Sequence, residues 1–309
     1  MQRSQDTPPI GIIAGQGRLP LLVAEGARAA GRRVCAVGLA GQYDAELPSL
    51  CDRFRSLGIA QLGRWIRCLR RWGVHEVVMV GRVAHKRKHA RLVWLRYPPD
   101  LLAFRLWYTT LRHDRRTATM LTALADALHH RGVTLIDSRR FIGAHMAYDG
   151  LMTPTVHPTI EMQRDLEFGW PLLLMVASNG IGQAIAVRAC DVLAVEAAEG
   201  TDALIERAGA LCDHRPWILL KSSAPAHDMR AVVATVGVRT IEHLHANGGR
   251  ALVLGDAHVI MIDRKDVIRR AEELGICIIG RAVRDGGGTA EDALLATPTD
   301  ALTTGFDVH

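Results

Sequence analysis

The chain is 309 residues long, 49% hydrophobic and 23% charged, with a net charge of +6, the proportions of a globular protein with length enough for two domains. No apolar run approaches the roughly 20 residues that span a bilayer. The opening MQRSQDTPPI lacks the apolar segment of a secretory signal, so a cytoplasmic protein is expected. The cysteines (Cys35, Cys51, Cys68, Cys190, Cys212 and Cys277) form no CxxC pair, which argues against zinc and for reduced, buried thiols.

In chain order, IGIIAGQGRLP (residues 10–20) reads as an apolar strand running into a glycine turn. LPLLVAEGARAAG follows as an amphipathic helix with Pro20 in its first turn. A glycine turn that opens a helix aims backbone N–H groups at an anion, typically a phosphate. GxG alone is a weak signal, and the full dinucleotide fingerprint is missing, as is an acid placed for a ribose hydroxyl at the end of RRVCAVGLAG. A nicotinamide-dependent oxidoreductase is disfavoured for that reason.

A strand near Phe54–Leu57, the helix QLGRWIRCLRRWG and the strand VHEVVMVG continue the β–α alternation. It implies an α/β fold with a Rossmann-like parallel sheet covered by helices on both faces. Ligands of such sheets sit beyond the carboxyl ends of the strands, here Gly15–Arg18, Leu39–Gly41 and Gly81–Arg82. Between Arg82 and Arg116, ten Lys or Arg face two acids, Asp100 and Asp114, with Trp94, Tyr97, Phe104, Trp107 and Tyr108 interleaved. That pattern suits a solvated helix face or an anionic membrane surface. Nucleic acid ranks last, because no helix-turn-helix, RRM or zinc-finger pattern accompanies it. One or two helices broken at Pro98 and Pro99, the helix TATMLTALADALHHRG and the strand VTLIDS complete a first domain, placed at 1–145.

The second domain is placed at 146–283, an α/β unit with a mixed sheet, and 284–309 read as a flexible tail. EMQRDLEFG reads as a helix, and the dense run PLLLMVA from Pro171 as a buried strand. Ile181–Gly209 reads as two short strands joined at Ala189–Asp191, then a helix with Thr201 as its N-cap and Asp202 in its first turn. Glu196, Glu199 and Asp202 cluster at that corner. Either they are a helix-dipole acid with two solvated neighbours, or they hold a hard cation such as Mg²⁺. RPWILLKSS is a strand carrying Lys221, Asp228 and Arg230 precede another short strand, and ALVLGDAHVIM reads as a strand hairpin.

IGQ followed by VLAVEAAEGTDALIERAG resembles the signature of the UDP-2,3-diacylglucosamine pyrophosphatases of lipid A biosynthesis, the type unrelated to metallophosphoesterases. The likeness runs from GIIAGQGRLP to ELGICIIGR. It implies Mg²⁺-dependent hydrolysis of a UDP-diacylated glucosamine, or a related nucleotide sugar, to UMP and lipid X, with substrate held between two domains. On that reading Asp228, Arg230 and Lys221 are catalytic. Gly15, Gln16, Gly17, Arg18, Leu19, Gly81, Arg82, Gln183 and Thr201 bind the nucleotide and substrate. Glu196, Glu199, Asp202 and Asp228 hold the metal. Contact with the inner-membrane surface and a homodimer belong to the same expectation.

The chain departs from the pattern in two places. Where the family has KPGQDxRxDLPxxG, this chain has APAHDMRAVVATVG. Asp228, Arg230 and Gly237 are kept, Ala224 and His227 replace Lys and Gln, and Val232 and Ala234 replace Asp and Pro. Paired acids before a helix are also replaced, by Thr117 and Ala118. These exchanges mark a diverged member, and they leave open a non-catalytic nucleotide-sugar or lipid-binding protein on the same scaffold.

Overall fold

The computed structural model describes residues 7–83, 98–113, 117–224 and 234–283. Two compact units divide it. The first runs to Met146 and takes in residues 234–235 and Ile260–Arg264. The second begins at Ala147 and takes in Val236–Val259 and the chain from Lys265.

In the first unit, β1 (Ile10–Ala14), β2 (Val34–Leu39), β3 (Arg53–Leu57), β4 (Glu76–Val80) and β5 (Thr134–Leu135) form a sheet in the order β3-β2-β1-β4-β5. Every pairing is parallel, as the Rossmann-like expectation requires. β1 and β2 are buried along their whole length, which is why they read as unbroken apolar runs rather than alternating ones. The alternation emerges in the packing. Ile10, Ile12 and Ala14 join Leu21, Leu22 and Val23 of α1 (Leu19–Ala29) on one face. Ile13, Val37 and Val77 join Trp65, Ile66 and Leu69 of α2 (Leu62–Arg71) on the other.

The basic, aromatic segment contributes α3 (Leu101–Leu106), which continues as a π-helical turn over Trp107–Leu111. Asp100 caps α3 by accepting from Ala103 N–H, and its other oxygen accepts from Gly63 and Arg64 N–H at the start of α2. Next come α4 (Thr117–His129) and the short α5 (Arg139–Ile142).

The second unit is built on a mixed sheet in the order β6-β13-β11-β9-β7-β8. Its strands are β6 (Gly150–Leu151), β7 (Ala184–Arg188), β8 (Asp191–Val195), β9 (Trp217–Lys221), β11 (Gly249–Gly255) and β13 (Cys277–Arg281). β9, β11 and β13 run parallel, whereas β6, β7 and β8 join antiparallel. α7 (Thr201–Leu211), α8 (Val238–Ala246) and α9 (Arg264–Glu273) connect them. ALVLGDAHVIM is not a hairpin: β12 (Val259–Met261) pairs with β10 (Ala234–Val236) instead of β11.

The expected strand at Pro171 is the second half of one 19-residue helix, α6 (Ile160–Ser178). Thr159 caps it by accepting from Met162 N–H. Leu166, Gly169, Trp170, Leu173 and Ala177 form its buried stripe, at the spacing of a helix face. A side chain at Gly169 would press on Val187 Cγ2, 2.8 Å away, so the glycine brings the helix down onto the sheet. Pro171 is exposed, on the side where the carbonyl left without a partner meets water.

Cys190 is the one exposed cysteine; Cys35, Cys68, Cys212 and Cys277 are buried and Cys51 is half-buried. Burial, then the charge of Asp52, pushes the Cys35 thiol up to about 11. Burial and then Cys35 push Cys51 up to about 12. The thiolate is the reactive form. A disulfide reagent at pH 8 is therefore expected to label one thiol per folded chain quickly, and Cys190→Ser to remove that phase. A fast phase that survives the substitution would contradict these burial differences.

Candidate functional site

The arrangement at the corner follows from strand order. β7 lies between β9 and β8, and Ala184 at its start is paired with Lys221 on one side. On the other side its carbonyl accepts from Glu196 N–H at 2.8 Å. Residues level with one another across a sheet project to the same face, and the central one here is only an alanine. Lys221 Nζ therefore reaches over it to Glu196 Oε2, at 3.3 Å, with 3% and 12% of the two side chains exposed.

Thr201 closes the network. Its hydroxyl donates to Glu196 Oε1 at 2.7 Å and accepts from Lys221 Nζ at 2.8 Å, so its one proton and one of its two lone pairs are used. Thr201 is the first residue of α7, not its cap. Gly200 is the cap, at φ +88°, a conformation that glycine adopts readily. The expected threonine cap is not made because the hydroxyl is engaged in the network.

Gln183 precedes β7, and its carbonyl accepts from Ser222 N–H at 3.0 Å. Ser222 and Ser223 are fully buried, with Ser222 Oγ donating to the Ser223 carbonyl at 2.8 Å and Ser223 Oγ to that of His258 at 3.3 Å. No motif in the sequence marks these serines. Their signal is a strand of five buried residues, Trp217–Lys221, that leads directly into two buried hydroxyls.

The three corner acids do not converge on a common point. Glu196 is bound by Lys221 and Thr201, Glu199 Oε1 lies 3.0 Å from Arg207, and Asp202 Oδ1 lies 3.8 Å from His243 with its side chain 66% exposed. Among the described residues no group of three His, Cys, Asp or Glu side chains is placed to hold a metal ion. Glu196, Glu199 and Asp202 by themselves therefore do not fit the expected Mg²⁺ site: Glu196 faces Lys221, Glu199 faces Arg207, and Asp202 points away toward His243. Asp228 and Arg230, with Val232, lie outside the described residues.

In the first unit the carboxyl ends of β1 and β4 are held together. Gln16 N–H donates to the Arg82 carbonyl at 2.8 Å, and Arg82 N–H returns a bond to Gln16 at 2.9 Å. Gly15 N–H is given to the Val80 carbonyl at 2.8 Å. A Cβ on Gly15 would lie 2.6 Å from the Arg82 carbonyl oxygen, and one on Gly81 (φ +98°) 2.7 Å from the Gly15 carbonyl carbon.

These two glycines therefore allow backbone to pass backbone. Gly17 (φ +101°) differs, with nothing within 4 Å of its Cβ position. The α1 N-terminus presents little to an anion: Pro20 has no N–H, and Leu21 and Leu22 both donate to the Arg18 carbonyl. Leu19 begins α1, and the Arg18 guanidinium is paired with Glu25 at 3.0 Å and Asp263 at 3.5 Å. Of the backbone donors expected to face a phosphate, Gly15 and Gln16 are thus engaged within the sheet ends.

Two family comparisons cover these units. The LpxI N-terminal domain matches residues 9–145 and the LpxI C-terminal domain residues 149–279. Among characterised relatives, the chain is similar to UDP-2,3-diacylglucosamine pyrophosphatase LpxI of Caulobacter vibrioides. The two are 30% identical over 295 residues, 88% of this chain and 96% of the relative. With both halves matched in order and nearly the whole relative spanned, the chain belongs to the LpxI family.

Proposed function

We propose that this protein hydrolyses the pyrophosphate bond of UDP-2,3-diacylglucosamine in lipid A biosynthesis, giving UMP and lipid X. The observation that carries the reading is the match to a relative of that activity over 96% of its length. In the reaction a water oxygen bonds to one phosphorus, the bridging oxygen departs with the other phosphate, and two protons are released. The first domain is assigned the uridine half, through the strand ends around Gly15–Leu19 and Gly81–Arg82. The second is assigned the chemistry.

Asp228 orients or deprotonates the attacking water, and Arg230 neutralises charge that develops on phosphoryl oxygens. Lys221 is a positioning residue, since its ammonium is bound to Glu196 and Thr201. It fixes the end of β9, from which the chain continues toward Asp228. A Mg²⁺ ion would be held by Asp228 together with the substrate's own phosphates, and would neutralise their charge.

Purified protein supplied with UDP-2,3-diacylglucosamine and Mg²⁺ is expected to release UMP. Asp228→Asn is expected to lower that rate by about a hundredfold or more, the usual contribution of a general base, with the thermal midpoint followed alongside. Absence of UMP release from the unsubstituted protein would overturn the reading. Retention of the nucleotide lipid without turnover would favour the binding protein that Val232 and Ala234 suggest.

A further inference from the structure

The α3 segment and the π turn that extends it carry an outward-facing apolar stripe. Leu101, Phe104 and Tyr108 are 84%, 60% and 56% exposed, at the i, i+3, i+7 spacing of one helix side. Trp107 beside them is 46% exposed. The inward side is accounted for, since Leu102 packs on the core beneath the sheet.

The rings are ordered among themselves. Phe104 stacks on Tyr108 with centroids 6.5 Å apart, and the Arg112 guanidinium sits 4.1 Å over the Tyr108 ring. Charge is one-sided. Across α2 and residues 98–113 the sequence has six arginines and a single acid, Asp100, whose carboxylate is bound to backbone N–H groups. Arg64, Arg67, Arg70 and Arg71 on α2, and Arg105 and Arg112 here, are all exposed.

Apolar and aromatic side chains flanked by arginine, with Asp100 the single acid among residues 98–113 and α2, match the interface of a bilayer. Rings and aliphatic chains enter the headgroup–acyl boundary while guanidinium groups meet phosphates. We infer that the Leu101–Arg112 face docks on an anionic lipid bilayer. A second copy is a poorer occupant, because like faces would oppose arginine to arginine. Nucleic acid gives no reason for an aliphatic Leu101 to stand 84% exposed.

The test is flotation of the full chain with vesicles of phosphatidylcholine alone, or with phosphatidylglycerol at about a third of the lipid. These vesicles contain no substrate, so the result stands apart from whether the hydrolase reading holds. The protein is expected to float with the anionic vesicles at least tenfold more than with the neutral ones, and to be released by high salt. The double variant Leu101→Ser/Phe104→Ser is expected to lose that binding by at least tenfold. Its thermal midpoint should not change, since both side chains are exposed. Equal binding to neutral vesicles, no binding to either, or a double variant that floats like the parent would overturn the inference. A change in oligomeric state of the variant, without vesicle binding by the parent, would assign the face to a second copy.

Discussion

Glu196→Ala is expected to destabilise the second domain by about 3 kcal/mol, as a drop in the urea midpoint without a change of slope. Lys221 is 3% exposed and Glu196 12%, so water replaces little of what is lost. Breaking a buried pair by truncating one member costs far more than the pair contributes in total. Thr201 loses the acceptor of its only proton in the same step. Glu196→Gln keeps an oxygen for Thr201 and removes only the charge, and should cost about half as much. A cation ligand would behave otherwise: Glu196→Ala would leave the midpoint in place and raise the Mg²⁺ concentration needed for turnover. Unchanged stability together with a shifted metal requirement would therefore restore the metal reading of this acid.

The sheets were legible because their strands are short apolar runs bounded by glycine, and the β–α alternation leaves few topologies open. Ile10–Ala14, Val34–Leu39 and Glu76–Val80 all fall within stretches read as strands. PLLLMVA was not legible, because an all-apolar run has no period to measure and Pro171 argues locally against a helix. Only the stripe that begins earlier, at Leu166, identifies it.

At the site, the resemblance points to Glu196 as a metal ligand and to Lys221 as a catalytic residue. Their mutual bond was hidden because 25 residues separate them and their meeting depends on β7 lying between β8 and β9. Glycine carries a similar ambiguity. From sequence, Gly15 suits a phosphate turn and a backbone crossing equally, and only its distance to Arg82 distinguishes them.

That ambiguity is open to experiment. Gly81→Ala is expected to cost about 2–4 kcal/mol, combining a strained positive φ with a methyl forced against backbone. The Cβ would sit 2.7 Å from the Gly15 carbonyl carbon at φ +98°, and neither strand end can retreat while the Gln16–Arg82 bonds hold them. Gly15→Ala meets the Arg82 carbonyl at 2.6 Å and should lose a comparable amount. The double variant should lose less than the sum, because both methyls force apart the same crossing. Gly17→Ala is the control: its φ of +101° is strained, but nothing lies within 4 Å of the new methyl, so about 1–2 kcal/mol is expected. Thermal midpoints ranked with Gly15 and Gly81 well below Gly17 would establish that the first two glycines serve the close approach of the chain just beyond β1 and β4. If Gly15→Ala keeps its midpoint and instead raises KM for the nucleotide substrate, the residue belongs to a phosphate cradle and the crossing is incidental.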